Sequence, residues 1–424
     1  MKKNVLVFPC GSEIGLEIYR SVKYSSHFVL FGASSVDDHG EFVYENYIGG
    51  LPFINEKGFI DSLKYLIAKY KIDILYPTMD SVIEVLKKEE DNLGCIVVGP
   101  HKETAAICNN KIKTYQLLNG LIRTPRIYEN INEIDSYPVF LKPIIGYGSR
   151  GTYIAKNDQE CNMILTNNPQ LFISEFLPGN EYTVDCFSDI NNNVVFCNMR
   201  ERIRINNGIS VRSELLWNTP EEIYKMARKI NNVLKMSGAW FFQVKKDKND
   251  NFALLEVACR FGGGSSIYRS VGINFALLNL YNSMNMNTKI SFDRLHVIRD
   301  ASLESKYKID IQYKYVYIDF DDCIIINNKI NLTAIIYLYY CINNNIKIIL
   351  LTKHEGDLKK SLRKYKLNNI FDRIIHIKKE DDKSKYIKNR DSIFIDDSFS
   401  EREKVKDNVN IPVFSVDAIE CLIH

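Results

Sequence analysis

The stretch 140-FLKPIIGYGSRGTYI-154 contains the pattern around which the rest of the chain is organised. A short apolar run leads to Lys142, glycines then follow at positions 146, 148 and 151, and apolar residues resume at Tyr153. This pattern predicts a strand, a glycine-rich loop and a returning strand. Backbone N–H groups in such a loop can close over a polyanion, whose charge the lysine neutralises. The alternative is an ordinary hairpin with a flexible tip.

The polar residues after this loop occur in a fixed order. Glu175 ends an apolar strand in FISEFLPGNEYTVDCF, and Glu181 begins the next strand after a Pro-Gly turn. The segments AWFFQVKKD and FALLEVACRFGGG predict paired strands that carry Gln243, Glu256 and Arg260. As an ordered set with the lysine and the glycine loop, these residues resemble the ATP-grasp superfamily over about residues 1 to 300. The similarity is greatest to carboxylate–amine ligases related to the carbamoyl phosphate synthase large subunit.

The resemblance implies a nucleotide site and a metal site. The residues that it assigns to ATP are Lys111, Lys142, Gly148, Ser149, Glu175, Phe176, Leu177 and Glu181. It assigns Mg²⁺, or alternatively Mn²⁺, to the side-chain oxygens of Gln243 and Glu256, which suit a hard cation. Arg260 is then expected to clamp an acyl phosphate. The chain departs from the family at Ala258, where an asparagine usually supplies a further metal ligand.

Three arginines alternate along RERIRINNGIS, at positions 200, 202 and 204, and therefore share one face of the predicted strand. Like charges in this arrangement are costly unless anions or carboxylates lie opposite them. We therefore expect Arg200, Arg202 and Ser210 to contact a substrate carboxylate or phosphate; the alternative is a solvated edge strand. Residues 1–100 predict a small parallel α/β sheet, where Asp80 and Glu84 are candidates for the acceptor site.

A second set of polar residues follows apolar runs near the C-terminus. YVYIDFDDCIII contains Asp319 and Asp321, IKIILLT ends in Thr352, DDKSKYI contains Lys383, and SIFIDDS contains the pair Asp396 and Asp397. If these runs are parallel strands, their carboxyl ends meet at one edge of a sheet, where ligand sites occur. This four-part pattern resembles the haloacid dehalogenase-type phosphatase superfamily over about residues 310–424.

The resemblance implies that Asp319 attacks phosphorus, that Asp321 transfers the leaving-group proton, and that Thr352 and Lys383 neutralise phosphate oxygens. The expected metal ligands are Asp319, Asp321, Asp396 and Asp397, with Asp396 and Asp397 as alternatives for one position. Lys385 is an alternative to Lys383, and Cys323 departs mildly from the family. The few residues between Asp321 and the next helix leave no room for a large cap domain.

The composition sets limits on the class of protein. Of the 424 residues, 46% are hydrophobic and the formal net charge is only +3, so neither a nucleic acid nor a membrane is expected as a partner. The ten cysteines include no C-x-x-C pair, which favours a reducing, cytoplasmic environment. The expected partners are a small-molecule carboxylate, an amine and a phosphorylated metabolite, with a homo-oligomer possible.

The sequence thus predicts a multidomain α/β protein. The expected parts are a Rossmann-like domain preceding the ATP-grasp domain (1–100), an α+β ATP-grasp domain (101–308) and a small Rossmann-like domain of the haloacid dehalogenase type (309–424). The function expected is that of a bifunctional enzyme, an ATP-dependent carboxylate–amine or carboxylate–thiol ligase with a Mg²⁺-dependent phosphatase. The alternative is a phosphatase whose first part only binds a nucleotide or ligand and has a regulatory role.

Overall fold

The computed structural model describes residues 2–146, 148, 150–206 and 208–423. The chain divides into two compact units, residues 1–303 and residues 304–424. The predicted boundary near residue 308 therefore lies a few residues beyond the observed one. The mixed α/β architecture predicted from the sequence is confirmed.

The first unit begins with a parallel five-stranded sheet of order β3-β2-β1-β4-β5. Its strands are β1 (Lys3–Phe8), β2 (Phe28–Ala33), β3 (Tyr47–Ile48), β4 (Ile74–Pro77) and β5 (Ile96–Val97). The connecting helices are α1 (Glu13–Val22), α2 (Phe59–Tyr70), α3 (Asp80–Lys88) and α4 (Glu90–Leu93). Consecutive residues of β1 are fully buried because helices cover both faces of a parallel sheet.

The next segment carries the glycine loop. Helices α5 (Lys102–Cys108) and α6 (Lys111–Leu118) precede a four-stranded sheet of order β6-β9-β7-β8, and α7 (Asp158–Asn167) connects β8 to β9. The strands are β6 (Ile127–Tyr128), β7 (Val139–Pro143), β8 (Tyr153–Ala155) and β9 (Leu171–Glu175). Antiparallel pairing of β7 with β8 places the loop between them, as the sequence predicts.

A six-stranded antiparallel sheet of order β14-β13-β10-β11-β12-β15 completes the first unit. Its strands are β10 (Glu181–Ser188), β11 (Val194–Asn206), β12 (Ile209–Leu216), β13 (Gly238–Lys246), β14 (Phe252–Ala258) and β15 (Ile298–Asp300). Helix α8 (Glu221–Leu234) joins β12 to β13, and α9 (Phe275–Ser283) follows a 3₁₀ helix at Gly263–Val271. Residues 261–280 share one hydrophobic core with β1, α1 and β2.

The second unit is a parallel five-stranded sheet of order β20-β19-β16-β21-β22. Its strands are β16 (Tyr315–Ile318), β19 (Lys347–Thr352), β20 (Arg373–His376), β21 (Ser392–Ile395) and β22 (Val413–Phe414), and a small hairpin, β17 (Ile325–Ile326) with β18 (Lys329–Ile330), follows β16. The helices are α10 (Leu332–Asn343), α11 (Leu358–Lys364) and α12 (Phe399–Val409). Only this hairpin separates Asp321 from α10, in agreement with the predicted lack of a large cap.

Within the described part of the chain, no helix combines the length and the apolar character that crossing a membrane requires.

Candidate functional site

Two adjoining cavities in the first unit bring together most of the predicted ligase residues. The first cavity is lined by both antiparallel sheets and by α6, and its lining includes Lys111, Lys142, Gly148, Glu175, Phe176, Leu177, Glu181, Gln243 and Glu256. The second cavity extends towards the parallel sheet and includes Asp80, Arg200, Arg202, Ser210, Arg260 and residues 262–264. Both are lined by Gly146, Gly148, Arg202, Gln243 and Glu256, so these residues lie where the two cavities meet.

Lys142 is buried at the end of β7, where its Nζ donates a hydrogen bond to the Tyr115 hydroxyl at 2.6 Å. The described residues place no carboxylate within ion-pair distance of this ammonium group. Burial lowers the pKa of Lys142 to about 7, and the charge of Lys111 adds to the effect, although Glu256 and Glu181 oppose it. An anionic ligand would compensate this positive charge, and hence the surroundings suit a phosphate group.

Lys111 and the glycine loop lie at the same end of the first cavity. The Nζ of Lys111 donates to the carbonyl oxygen of Gly146 at 2.7 Å, and the Asn110 side chain caps α6 by accepting from Lys113 N. Asn110 therefore has a helix-capping role here. Ser149, which was assigned to the nucleotide, lies outside the described residues.

The segment between β9 and β10 contains the predicted Pro-Gly turn. Phe176 and Leu177 line the first cavity, as does the neighbouring Glu175. The Glu175 carboxylate accepts two hydrogen bonds from Arg123 Nη2, at 2.6 and 2.7 Å, so it serves as an ion-pair partner in this structure. Glu181, at the start of β10, forms an ion pair with Arg202. The two glutamates assigned to the nucleotide therefore both have arginine partners of their own.

Gln243 and Glu256 face each other across the antiparallel pair β13–β14. Their side chains line both cavities and offer one amide oxygen and one carboxylate, a donor set that fits Mg²⁺. Ala258 ends β14 and is buried, beside Asp80 in a small cavity that also includes Glu256. One oxygen of Asp80, Oδ1, is buried and has no hydrogen-bond partner among the described residues. The group of oxygen donors therefore suits a cation, with one ligand fewer on β14 than the family usually has.

The second cavity contains two of the three alternating arginines. Arg200 is buried and donates from Nε to Asp185 at 2.7 Å, whereas Arg202 pairs with Glu181. The expectation that Arg204 shares their face is wrong, because the register shifts between Arg202 and Arg204 and the Arg204 guanidinium pairs with Asp300. Nor is this an exposed edge strand, since β11 lies between β10 and β12.

Arg260 follows β14 and donates to Asp80 Oδ2 from Nε at 2.9 Å, so a residue of α3 orients the expected clamp. Asp80 lies in the cavity as predicted, but Glu84 does not. The Glu84 carboxylate accepts hydrogen bonds from Lys88 and Asn109, because it lies one turn further along α3. Of the two acidic residues of TMDSVIE, Asp80 lines the second cavity, and its role at an acceptor site stays a prediction.

Sequence reasoning missed several residues that line the cavities, among them Glu13, Thr78, Arg150 and Lys245. Glu13 lies at the start of α1, and its carboxylate contacts Gly263 so closely that a Cβ atom there would lie 2.2 Å from it. The lack of a side chain at Gly263 therefore permits the close approach of the Glu13 carboxylate. Arg150 could have been found from its position inside the glycine loop.

In the second unit, the residues of the four-part pattern assemble at the carboxyl edge of the parallel sheet. Lys383 Nζ lies 2.9 Å from Asp319 Oδ1 and 2.6 Å from Asp396 Oδ2, and all three residues are buried. Burial raises the pKa of Asp319, although the Lys383 ammonium opposes this effect. Lys385 is exposed, so Lys383 is the lysine of this site. It lies on a short 3₁₀ helix, Lys383–Tyr386, and not at a strand end as predicted.

The four aspartates predicted as metal ligands in the second unit fall into three groups by their contacts. Asp319 and Asp397 have carboxylate oxygens that, with Cys323 Sγ, all lie within 4.8 Å of one another. Asp396 instead binds Lys383, and Asp321 accepts hydrogen bonds from His354 Nδ1 at 2.9 Å. The carboxylates of Asp319 and Asp397 lie close enough together to share Mg²⁺, and Asp319 also contacts Lys383. Asp396 and Asp321 are instead held by Lys383 and His354. His354 was missed, although it lies only two residues after Thr352.

Comparisons with known proteins agree with the fold of the first unit. Residues 167–305 match the family model described as "ATP-grasp in the biosynthetic pathway with Ter operon". A D-alanine–D-alanine ligase of Fusobacterium nucleatum is 27% identical over 107 residues, which make up 25% of this chain and 35% of that protein. The match therefore spans about a third of the length of this curated relative.

Two solved structures have the same fold over about two thirds of the chain. Biotin carboxylase from Campylobacter jejuni, in complex with a β,γ-ATP ligand, is 16% identical with a TM-score of 0.57, covering 68% of this chain and 72% of its own. L-amino acid ligase from Bacillus licheniformis is 19% identical with a TM-score of 0.56, and the alignment covers 67% of this chain and 74% of that protein. The structural likeness shows a shared fold, and the family model supports an ATP-grasp assignment for residues 167–305.

Proposed function

We propose that residues 1–303 form an ATP-dependent carboxylate–amine ligase, with a thiol as the alternative acceptor. The observation that carries this proposal is the meeting of the two cavities at Gln243, Glu256 and Arg202. One cavity has two lysines for phosphate groups, and the other has arginines for a carboxylate. A γ-phosphoryl group held at the junction would lie next to a carboxylate held in the second cavity.

The reaction proceeds through an acyl phosphate. A carboxylate oxygen attacks the γ-phosphorus of ATP and ADP leaves; the amine then attacks the acyl carbon and phosphate leaves. Lys111 and Lys142 bind phosphate oxygens, Phe176 and Leu177 contact the adenine, and Arg260 holds the acyl phosphate. Gln243 and Glu256 would hold Mg²⁺, which would neutralise the phosphate charge. Asp80 keeps Arg260 in place through the hydrogen bond described above.

Product formation tests the ligase. The full-length chain is incubated with ATP, Mg²⁺ and a panel of carboxylates, with and without amines or thiols, while ADP and phosphate release are measured. ADP release that depends on a carboxylate, and a ligated product that depends on the second substrate, are expected. If ATP binds but no carboxylate stimulates ADP release, the regulatory alternative replaces the ligase.

We further propose that residues 304–424 form a Mg²⁺-dependent phosphohydrolase. This second function is favoured by the buried cluster in which Lys383 contacts Asp319 and Asp396 while Asp397 and Cys323 lie close to Asp319. Asp319 attacks the phosphorus of a phosphomonoester, Thr352 and Lys383 bind its oxygens, and Asp321 transfers the proton. Carboxylates gathered this closely repel one another unless a cation lies between them. Phosphate release from a panel of phosphomonoesters, with and without Mg²⁺, tests this activity.

A further inference from the structure

The imidazole of His354 connects Asp321 to Ser361 in the second unit. Its Nδ1 lies 2.9 Å from both carboxylate oxygens of Asp321, and its Nε2 lies 2.9 Å from Ser361 Oγ on α11. The His354 side chain is only 14% exposed, whereas that of Asp321 is 49% exposed. A largely buried ring therefore holds a carboxylate that is otherwise half in solvent.

The tautomer of the His354 ring follows from its hydrogen-bond partners. Whether it is ionised or carries a proton on one oxygen, the Asp321 carboxyl group keeps an oxygen that accepts hydrogen bonds, so the proton on Nδ1 of His354 can donate a hydrogen bond to it. In the neutral ring Nε2 is then an acceptor, which the Ser361 hydroxyl can satisfy by donating. Ser361 thereby selects the tautomer in which Nδ1 is the donor, and that tautomer is the one that can hold Asp321.

The position of the ring is determined by its neighbours. The backbone N–H of His354 donates to Thr352 Oγ1 at 3.1 Å, and its carbonyl oxygen accepts from His376 Nε2 at 2.8 Å. The imidazole ring and the Phe320 ring pack in a T-shaped arrangement, with ring centroids 5.1 Å apart. Because residues at or just beyond the ends of β16, β19 and β20 contribute these contacts, the Nδ1–H points to a defined place at the sheet edge.

Resting on the phosphatase activity proposed above, we infer that His354 is a positioning residue that holds Asp321 for proton transfer. As Asp319 attacks phosphorus and the ester P–O bond breaks, the leaving oxygen takes a proton from Asp321. Water then attacks the phosphorus of the aspartyl phosphate and gives a proton back to Asp321, while the Asp319 carboxylate leaves and phosphate is released. A half-exposed aspartate can take several rotamers, so fixing its orientation favours both transfers.

The test compares two phosphomonoesters that differ in their need for an acid. Ethyl phosphate has a poor leaving group that requires a proton, whereas p-nitrophenyl phosphate has a good one that does not. In the full-length chain, His354→Leu should lower kcat/KM for ethyl phosphate by about 10–100-fold but change that for p-nitrophenyl phosphate less than about threefold. His354→Asn, whose amide N–H can replace Nδ1–H, should recover most of the loss.

Two further variants separate positioning from a general structural effect. Asp321→Asn with His354→Leu should be no slower on ethyl phosphate than Asp321→Asn alone, because both changes remove the same proton transfer. His101→Leu, at an exposed histidine of the first unit, should leave both rates unchanged. Equal losses on the two esters, or additive losses in the double variant, would overturn the positioning role. A wild-type chain that hydrolyses neither ester would instead overturn the phosphatase activity and this inference with it.

Discussion

Lys142 is the single residue on which nucleotide binding is expected to depend most. A hydrogen bond to a charged group contributes about 1.5–3 kcal/mol. Lys142→Ala should therefore raise the Kd for ATP about tenfold or more, which isothermal titration calorimetry would measure. Lys156→Ala, at an exposed lysine after β8, is the matched control and should bind ATP normally. An unchanged Kd in Lys142→Ala would exclude this residue from the nucleotide site.

The pKa of Lys142, about 7, predicts that ATP binding is coupled to proton uptake. Phosphate oxygens favour the charged lysine, so binding raises its pKa, and at pH 8 the mostly neutral group gains a proton. Affinity should accordingly fall as the pH rises above 7. Calorimetry at pH 8 in buffers of different ionisation enthalpy would count the protons. Lys142→Arg stays charged throughout and should abolish the uptake while retaining binding.

The placement of single residues in a common cleft could be predicted from their order along the chain. Their side-chain partners could not be predicted where the partner lies far away in sequence. Lys142, Gln243 and Glu256 lie on strands with apolar neighbours, so their arrival at one cleft could be predicted from strand pairing. The Arg123 partner of Glu175 and the His354 partner of Asp321 could not, because 52 and 33 residues separate the members of these pairs. Side-chain partners at such separations depend on packing that local sequence patterns do not encode.

At the scale of elements, strand β14 has the expected position but one metal ligand fewer than the family usually has. Ala258→Asn should place an amide oxygen beside Glu256 and tighten the binding of Mn²⁺. A titration followed by electron paramagnetic resonance would measure the Mn²⁺ affinity. Ala258→Val adds volume without a ligand and serves as the control. Equal affinity in all three chains would show that position 258 does not face the metal. Good ligase activity without any divalent metal would contradict the roles of Gln243 and Glu256.

The 3₁₀ helix Gly263–Val271 begins against the buried Arg200. A Cβ atom at Gly264 would lie 2.6 Å from Arg200 Nη1, and Asp185 holds that guanidinium in place. Gly264→Ala should therefore displace Arg200 and raise the KM for the carboxylate substrate about tenfold, the effect of losing one charge-assisted contact. Ser270→Ala, at an exposed position of the same helix, should leave KM unchanged. A normal KM in Gly264→Ala would exclude Arg200 from carboxylate binding.

Helices and strands were predictable where the spacing of apolar and polar residues was regular, and less so where the strands are irregular. The alternation of Arg200, Arg202 and Arg204 predicted one charged face, but the shift of register after Arg202 turns Arg204 away. Such irregularities arise from pairing with the neighbouring strand, which no local pattern reveals. The 3₁₀ helix that carries Lys383 is similarly too short to produce a periodic signal.

For the whole molecule, the separation of the two candidate sites predicts that they can be inactivated independently. Every residue that lines the two ligase cavities lies within 1–303, whereas Asp319 and its neighbours lie within 304–424. Asp319→Asn should abolish phosphate release from phosphomonoesters, because an amide cannot form the aspartyl phosphate. The Kd for ATP should stay unchanged in this variant. Loss of ATP binding would mean that the two activities share one site.

The shared core of the first sheet has a consequence for the synthesis of the chain. Val5, Ile18 and Phe28 share a core with Phe261, Tyr268 and Phe275, so this part of the core of the early strands is completed only after roughly 230 further residues have been added. At the usual rates of translation this interval lasts roughly 10–50 s. During that time, part of the apolar surface of β1, α1 and β2 remains uncovered on the ribosome, where association with other nascent chains competes with folding. Chaperone binding to the first 30 residues would protect the growing chain until α9 emerges.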